Sequence, residues 1–460
     1  MNSRRKFILQ SSALTAVSAL STLDGMGLMN AFAQSAPASD YKALVCVFLF
    51  GGNDGNNTVI PRDTEAYNAY AAARGGPSAS GGLAIPQSSL VPINPRSLAA
   101  GFGLHPALSD LKTVWDAGKL AVLANVGPLV EPVTKADYLS GRKNLPQSLF
   151  SHSDQQSQWQ SSVSDQLSST GWGGRLADVA RTFNGSSTLP MITSVSGSPL
   201  FSVGTGSNVV AIPVTGRFGL NGFGNSAYST NRLGALKNLL LLTSGNNFVS
   251  EADNVFAQAI NAANVINPVI AANSTTVSAA FAGASSSIAS QLLQVAKLIE
   301  ARNTLGLKRQ IFFVSLGGFD THSAQINDQD DLFAKLGPAM KAFYDATVAL
   351  GVANQVTTFT MSDFGRTLKP ASGGGSDHAW GSHHFIMGGA VKGGDFYGTF
   401  PTLALSGPDD AGYEGRWIPT TSVDQYAATL ATWLGVSSAE LSLVTPNIGR
   451  FATPNLGFLS

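Results

Sequence analysis

Three aspartates in this 460-residue chain each follow an uncharged, apolar run. Asp54 comes after LVCVFLF-GGN, Asp320 after IFFVSL-GGF, and Asp363 directly after VTTFTMS. The Gly-Gly-x-Asp device therefore occurs twice, which predicts that both acids are delivered to one place. Histidine usage points the same way. The six histidines are His105, His152, His322, His378, His383 and His384, and three of them stand within two residues of an aspartate, in HSD, DTH and DH. Carboxylate with imidazole suits zinc or a related transition ion, and carboxylate with amide oxygen suits calcium or magnesium. The expected metal ligands are Asp54, Asp320, His322, Asp363 and one of His378 or His384. His383 and His384 are adjacent, so on a strand they face opposite sides and at most one is a ligand.

A nucleophile is less plainly marked. LFSHSDQQSQW places Ser151 ahead of a helix, with Asp154 three residues on, which is also the pattern of a capping pair. A hydroxyl at a helix N-terminus beside a metal is where a phosphate or sulfate group would be held and attacked. Ser151 is the candidate nucleophile, and Thr58 in GNNT is a second.

These residues need elements to place them. Leu44–Phe50, Leu120–Val126, RQIFFVSLGG, QVTTFTMS and HHFIMGGAV read as strands buried on both faces. Between them lie helical patterns: HPALSDLKTVWDAG ending at Gly118, SQLLQVAKLIEARNTLG, DLFAKLGPAMKAFYDATVALG, and SVDQYAATLATWLGV with a Ser cap. Helix alternating with buried strand predicts a mostly parallel sheet, in which ligands bind beyond the carboxyl ends of the strands. The stretch 196–287 is poor in charge and rich in Ser, Ala and Asn. It reads as a helical insertion or cap, since Leu, Val, Ile and Phe persist through it.

The first residues carry an address. Ser3-Arg4-Arg5-Lys6-Phe7 matches a twin-arginine export signal, and Ala31-Phe32-Ala33 a cleavage site, so residues 1–33 are expected to be removed. Export of the folded chain, to the periplasm or beyond, would make the translocase its partner in transit. Later stretches lack the length and apolarity of a membrane span. Without Arg4, Arg5, Lys6 and Asp24 the chain keeps 25 basic and 27 acidic side chains, a formal charge of −2. Charged residues make up 12% of the sequence, against about 25% in ordinary domains, so nucleic acid is excluded as a partner. The single cysteine, Cys46, sits inside the first strand and can form no internal disulfide. A Gly-x-Ser-x-Gly elbow, a Walker loop and a dinucleotide-binding glycine motif are all absent.

Taken in order, VFLFGGNDGNN, GLHPAL, SHSDQQ, GGFDTH, TMSDFGRT, DHAWGSHHFIMGGAVKGG and GRWIPTTSVDQYAATLATWLGV closely resemble the exported bacterial family of domain of unknown function 1501. That family is similar to the alkaline phosphatase and sulfatase superfamily. The resemblance implies a three-layer α/β/α sandwich over residues 41–460 and hydrolysis of small-molecule phosphate esters, with sulfate esters second, at a divalent metal (zinc, calcium or magnesium). It implies that Asp54 is the first metal-binding acid, that Asp320 and His322 bind a metal as a pair, and that Asp363 is the acid of an Asp-His-Gly motif. His378 or His384 would be the last ligand, and Ser151 would fall near the nucleophile. Phe364 departs from the pattern, because a histidine should follow the acid there. This leaves a second reading open, a non-catalytic exported binding or assembly protein that retains the fold.

Overall fold

The computed structural model of the chain describes residues 40–460, apart from 186, 188, 221, 222, 224, 225, 241 and 243–246. The export signal and its cleavage site lie outside the described residues. Among the described residues twelve strands form two sheets: β1 (Lys42–Phe50), β2 (Val59–Pro61), β3 (Val91–Ile93), β4 (Phe102–Leu104), β5 (Leu120–Gly127), β6 (Ile192–Ser194), β7 (Val209–Ala211), β8 (Arg309–Gly317), β9 (Val356–Ser362), β10 (Ser382–Gly388), β11 (Phe396–Gly398) and β12 (Thr421–Ser422). The main sheet has the order β11-β5-β10-β9-β1-β8-β6-β7, with β12 on the end of β5, and β2, β4 and β3 form a small antiparallel sheet. Every pairing in the main sheet is parallel except those of β10, which runs against both β5 and β9.

The helices that matter below are α1 (Gly55–Thr58), α2 (His152–Ser161), α3 (Trp172–Ala180), α4 (Ala227–Leu240), α5 (Asn247–Ala271), α6 (Ser287–Glu300), α7 (Gln325–Ala349) and α8 (Val423–Leu434). They cover both faces of the sheet, giving the α/β/α sandwich that the family resemblance implies. The alternation within β1 explains why no polar face is left. Ala43, Val45, Val47 and Leu49 pack with Ile288, Leu292, Val295 and Ile299 of α6 and with Leu336 and Phe343 of α7. Leu44, Cys46 and Phe48 pack on the other side with Leu176 of α3 and Leu430 of α8. Each such Leu, Val or Phe contributes roughly 1.5–3 kcal/mol of burial. Helix α6 begins at the Ser286 cap, which accepts from the Ala289 N–H, and α8 begins at a capping box between Ser422 and Gln425. Among the described residues no helix is long and apolar enough to cross a membrane.

The segment 196–287 holds α4, α5 and the helix Thr275–Ala280. It also supplies β7, the edge strand next to β6. Its Ile266, Val269, Ile270, Val277 and Phe281 join the same core as α6 and α7.

Register sets the site. Phe50 lies opposite Gly317, and Leu49 opposite Ser362, so β1, β8 and β9 end at one level. The chain must then turn sharply, and Gly51, Gly52 and Gly318 do so at φ of 115°, 86° and 108°, a region that disfavours any side chain. A Cβ on Gly51 would lie 2.4 Å from the Asp320 nitrogen, so the two glycine turns are in direct backbone contact. The Phe319 N–H donates to the Phe50 carbonyl at 3.1 Å and stitches them together. Because β10 is antiparallel, its first residue sits at this same rim, with Ser382 opposite Val126 near the end of β5. His378, four residues earlier, reaches the rim as well.

Candidate metal centre

Three imidazoles meet one carboxylate oxygen at the rim. Asp320 Oδ1 lies 3.1 Å from His322 Nε2, 3.4 Å from His152 Nε2 and 3.4 Å from His378 Nε2. His322 Nε2 and His378 Nε2 are 2.9 Å apart. Donor atoms of His152, Asp320 and His378 all fall within 4.8 Å of one another, close enough for one cation. His152 Nε2 is buried and has no hydrogen-bond partner.

The outer ring nitrogens explain the orientation. His152 Nδ1 is 2.7 Å from Asp363 Oδ2, His378 Nδ1 is 2.7 Å from the Phe150 carbonyl, and His322 Nδ1 is 3.3 Å from Asp377 Oδ1. Carbonyl oxygen and carboxylate accept, so with a cation at the centre each Nδ1 would carry the proton and each Nε2 would offer its lone pair. That tautomer, with its oxygen partner behind the ring, is the arrangement of a metal-binding histidine. Phe364 forms the floor: it is fully buried, with the His152 ring 4.7 Å and the His378 ring 4.5 Å away, centroid to centroid.

Charge in the site is arranged as carefully as the rings. Asp320 is half exposed; its partial burial raises its pKa, and the Arg366 guanidinium more than offsets this, holding it below the ordinary carboxylate value. Asp363 is fully buried, and burial pushes its pKa up against the hydrogen bonds from Gln156 and His152. Gln156 Nε2 donates to Asp363 Oδ2 at 2.7 Å. Burial lowers the pKa of His378.

Arg366 is buried and ties the rim together. Its Nε donates to the Gly52 carbonyl at 2.9 Å and the Phe319 carbonyl at 3.0 Å. Its Nη1 donates to the Ser376 carbonyl at 2.6 Å, and its Nη2 to the Gly51 carbonyl at 2.7 Å and to Asp320. One guanidinium thus joins both glycine turns to the loop that carries His378.

The structure brings together Asp320, His322 and His378 of the expected ligands, with Asp363 behind His152. It separates two others. Asp54 does not share the centre, although its Gly-Gly-x-Asp copy abuts that of Asp320. Its Oδ1 caps α1 by accepting from the Asn56 N–H at 3.0 Å, and its Oδ2 is taken by Arg74 and by Gln325. Arg74 and Asp54 are both buried, with side chains 0% and 1% exposed, so the acid is a structural ion pair. His384 is a core residue. It packs edge-on against Trp159 at 4.8 Å and its Nδ1 lies 3.1 Å from Thr360 Oγ1, with burial driving its pKa down to about 3. His383, on the opposite face as strand geometry requires, stacks on Phe400 at 4.6 Å. Thr58 is buried too, donating from Oγ1 to the Asp54 carbonyl at 2.7 Å, which removes it as a nucleophile. Ser151 stands directly before His152 at the start of α2. Its hydroxyl donates to Asp154 Oδ2 at 2.5 Å and does not cap the helix backbone.

The residue that sequence reasoning missed as a ligand is His152. Its signal was the HSD triplet, read mainly for its serine. Asp363 lacks a histidine at its next position, and the imidazole that lies over Phe364 instead comes from a helix more than two hundred residues earlier. Its approach is strained: Ser148 and Phe150 both have positive φ, 47° and 72°, and the Phe150 N–H is held by Gln155 Oε1 at 2.5 Å. Such a backbone costs roughly 1–2 kcal/mol per residue.

The solved structures to which the chain is similar, at low TM-scores, include two of note. That of Ps i-CgsB in complex with k-i-k-neocarrahexaose is 9% identical, with 90% of this chain and 78% of that chain covered and a TM-score of 0.33. That of the lipoteichoic acid synthase LtaP from Listeria monocytogenes is 7% identical, with 90% and 78% covered and a TM-score of 0.32. No curated protein sequence matches it. Residues 41–414 match the model of the family described as protein of unknown function (DUF1501), and by this match over most of its length the chain belongs to that family.

Proposed function

We propose that the chain is an exported, divalent-metal-dependent hydrolase of phosphate esters, with sulfate esters as the second class. The observation that carries this reading is the convergence of three imidazole Nε2 atoms on Asp320 Oδ1, each ring held from behind by an oxygen acceptor. These donors fit an imidazole-preferring ion such as zinc better than calcium or magnesium, which favour oxygen. His152, His378 and Asp320 would hold the ion, with His322 beside Asp320 and His378. Such an ion polarises an ester oxygen and stabilises charge that develops during displacement. Phe364 and the αL turn at Phe150 keep the imidazoles from rotating away. Ser151 would attack the phosphorus as its proton passes to Asp154, to which it is already hydrogen-bonded, while the P–O bond to the ester oxygen breaks and the departing alcohol takes up that proton. Water would then release the phosphoryl group from Ser151.

The experiment is metal analysis of the purified chain with assays on aryl phosphate, phosphodiester and aryl sulfate. Ser151→Ala should retain metal and lose turnover, whereas His152→Ala should lose both. Metal at background level in the wild type would end the reading. One observation favours the alternative of a non-catalytic exported binding or assembly protein: Asp320 already has Arg366 as a counter-ion. That alternative predicts no hydrolysis in any of the three assays.

A further inference from the structure

We propose that the centre is mononuclear, and that Arg366 is the positioning residue that sets the geometry and Lewis acidity of its single ion through Asp320. This rests on the metal-dependent reading above and specifies it further. Two carboxylates stand at the ends of neighbouring strands after matched glycine turns, and each is already neutralised by a buried arginine. Asp54 is paired with Arg74, whose side chain is 0% exposed, and its other oxygen is bonded to the Asn56 N–H. Those contacts leave it no free charge with which to attract a second cation. Asp320 differs in two respects. Its Arg366 partner is likewise 0% exposed, yet Asp320 itself is 47% exposed and also faces three imidazoles.

Arg366 therefore cannot touch a substrate; it acts through the residues it holds. Four of its five hydrogen bonds go to the carbonyls of Gly51, Gly52, Phe319 and Ser376, in three separate segments of the rim. The fifth goes to the Asp320 oxygen that the imidazoles surround. A guanidinium on that oxygen withdraws electron density from it, so an ion bound there remains more electron-poor than one bound to a free carboxylate. It also fixes the Asp320 rotamer and the spacing between Asp320 and the Ser376–His378 segment. Lysine could keep the charge, but with three donors on one atom it cannot reproduce the fork that joins these segments.

The test uses the full folded chain with Zn²⁺ and Co²⁺ as probes. The wild type should bind one equivalent. Arg366→Gln should bind 10–100-fold more weakly, the range for loss of a partner behind a ligand, with a changed visible spectrum of the Co²⁺ form. Arg366→Lys should recover part of the affinity but not the wild-type spectrum. If Arg366→Gln fails to fold, Arg366→Lys and the wild-type stoichiometry remain decisive. Two equivalents in the wild type would overturn the inference while leaving the hydrolase reading intact. So would unchanged affinity and spectrum in a folded Arg366 variant. No binding at all by the wild type would overturn both.

Discussion

Replacing Asp363 by Asn isolates the role of a carboxylate that touches no solvent. Asp363 Oδ2 accepts from His152 Nδ1 and from Gln156 Nε2, each at 2.7 Å, and its Oδ1 is buried without a partner. Asn has the same shape. With its amide oxygen in the Oδ2 place both hydrogen bonds survive, so the His152 ring stays where it is. The amide nitrogen then occupies the Oδ1 place as an unsatisfied donor, costing about 1–3 kcal/mol of stability. What disappears is the negative charge that raises the basicity of His152 Nε2. Loss of such a partner typically weakens metal binding 10–100-fold, or ~1.4–2.8 kcal/mol. Competition between the chain and a zinc chelator of fixed affinity measures this directly, with near-ultraviolet circular dichroism as the check on folding. A folded Asp363→Asn chain that binds zinc as tightly as the wild type would refute the idea that Asp363 works through His152.

Two further expectations concern stability. Asp54→Ala leaves the buried Arg74 guanidinium without its partner, which should cost about 3–5 kcal/mol in chemical denaturation, yet zinc stoichiometry should not change; loss of the metal would return Asp54 to the centre. Asp424 is fully buried, and burial raises its pKa to about 7 despite hydrogen bonds from Ser162 and the Asn447 N–H. The folded state thus holds a proton that the unfolded chain releases near pH 4, so this group's contribution to stability falls as pH rises from about 4 to about 7. Asp424→Asn should remove that fall, gaining up to about 4 kcal/mol on the wild type between pH 4 and pH 8. Parallel denaturation profiles of the two proteins at those pH values would contradict it.

Much of the architecture was legible because it rests on local rules. Uninterrupted apolar runs marked β1, β5, β8 and β9, and glycines whose φ only glycine tolerates marked the turns that carry the acids. The metal centre was half legible. Asp320, His322 and His378 announced themselves by type and spacing, whereas Asp54 carried the same local signal and a different fate. Both acids have a buried arginine partner; what separates them is that Arg74 and Gln325 enclose Asp54 whereas Asp320 stays half exposed beside three imidazoles, and which of the two is enclosed depends on segments distant in the chain. Period-two alternation showed that His383 and His384 face opposite sides. It could not show that both faces were core, since that depends on Trp159 and Phe400 arriving from elsewhere. His152 was hidden for a similar reason: a helix start near a serine reads as a cap until the rim it faces is known.

The reversed strand has an implication for how the molecule assembles. β10 lies between β5 and β9 and is the link that joins the β11–β5–β12 group to the other strands of the large sheet. Until residues 382–388 take their place, β5 has no neighbour on that side, although it is complete more than two hundred and fifty residues earlier. Closure at such sequence separation is slow, because the loop entropy must be surrendered before the ladder forms. The same late event anchors the segment that carries His378, and β11 and β12 follow it in the chain, so a chain truncated just ahead of residue 382 should keep His152, Asp320, His322 and His378 yet leave β5 unpaired and His378 unanchored.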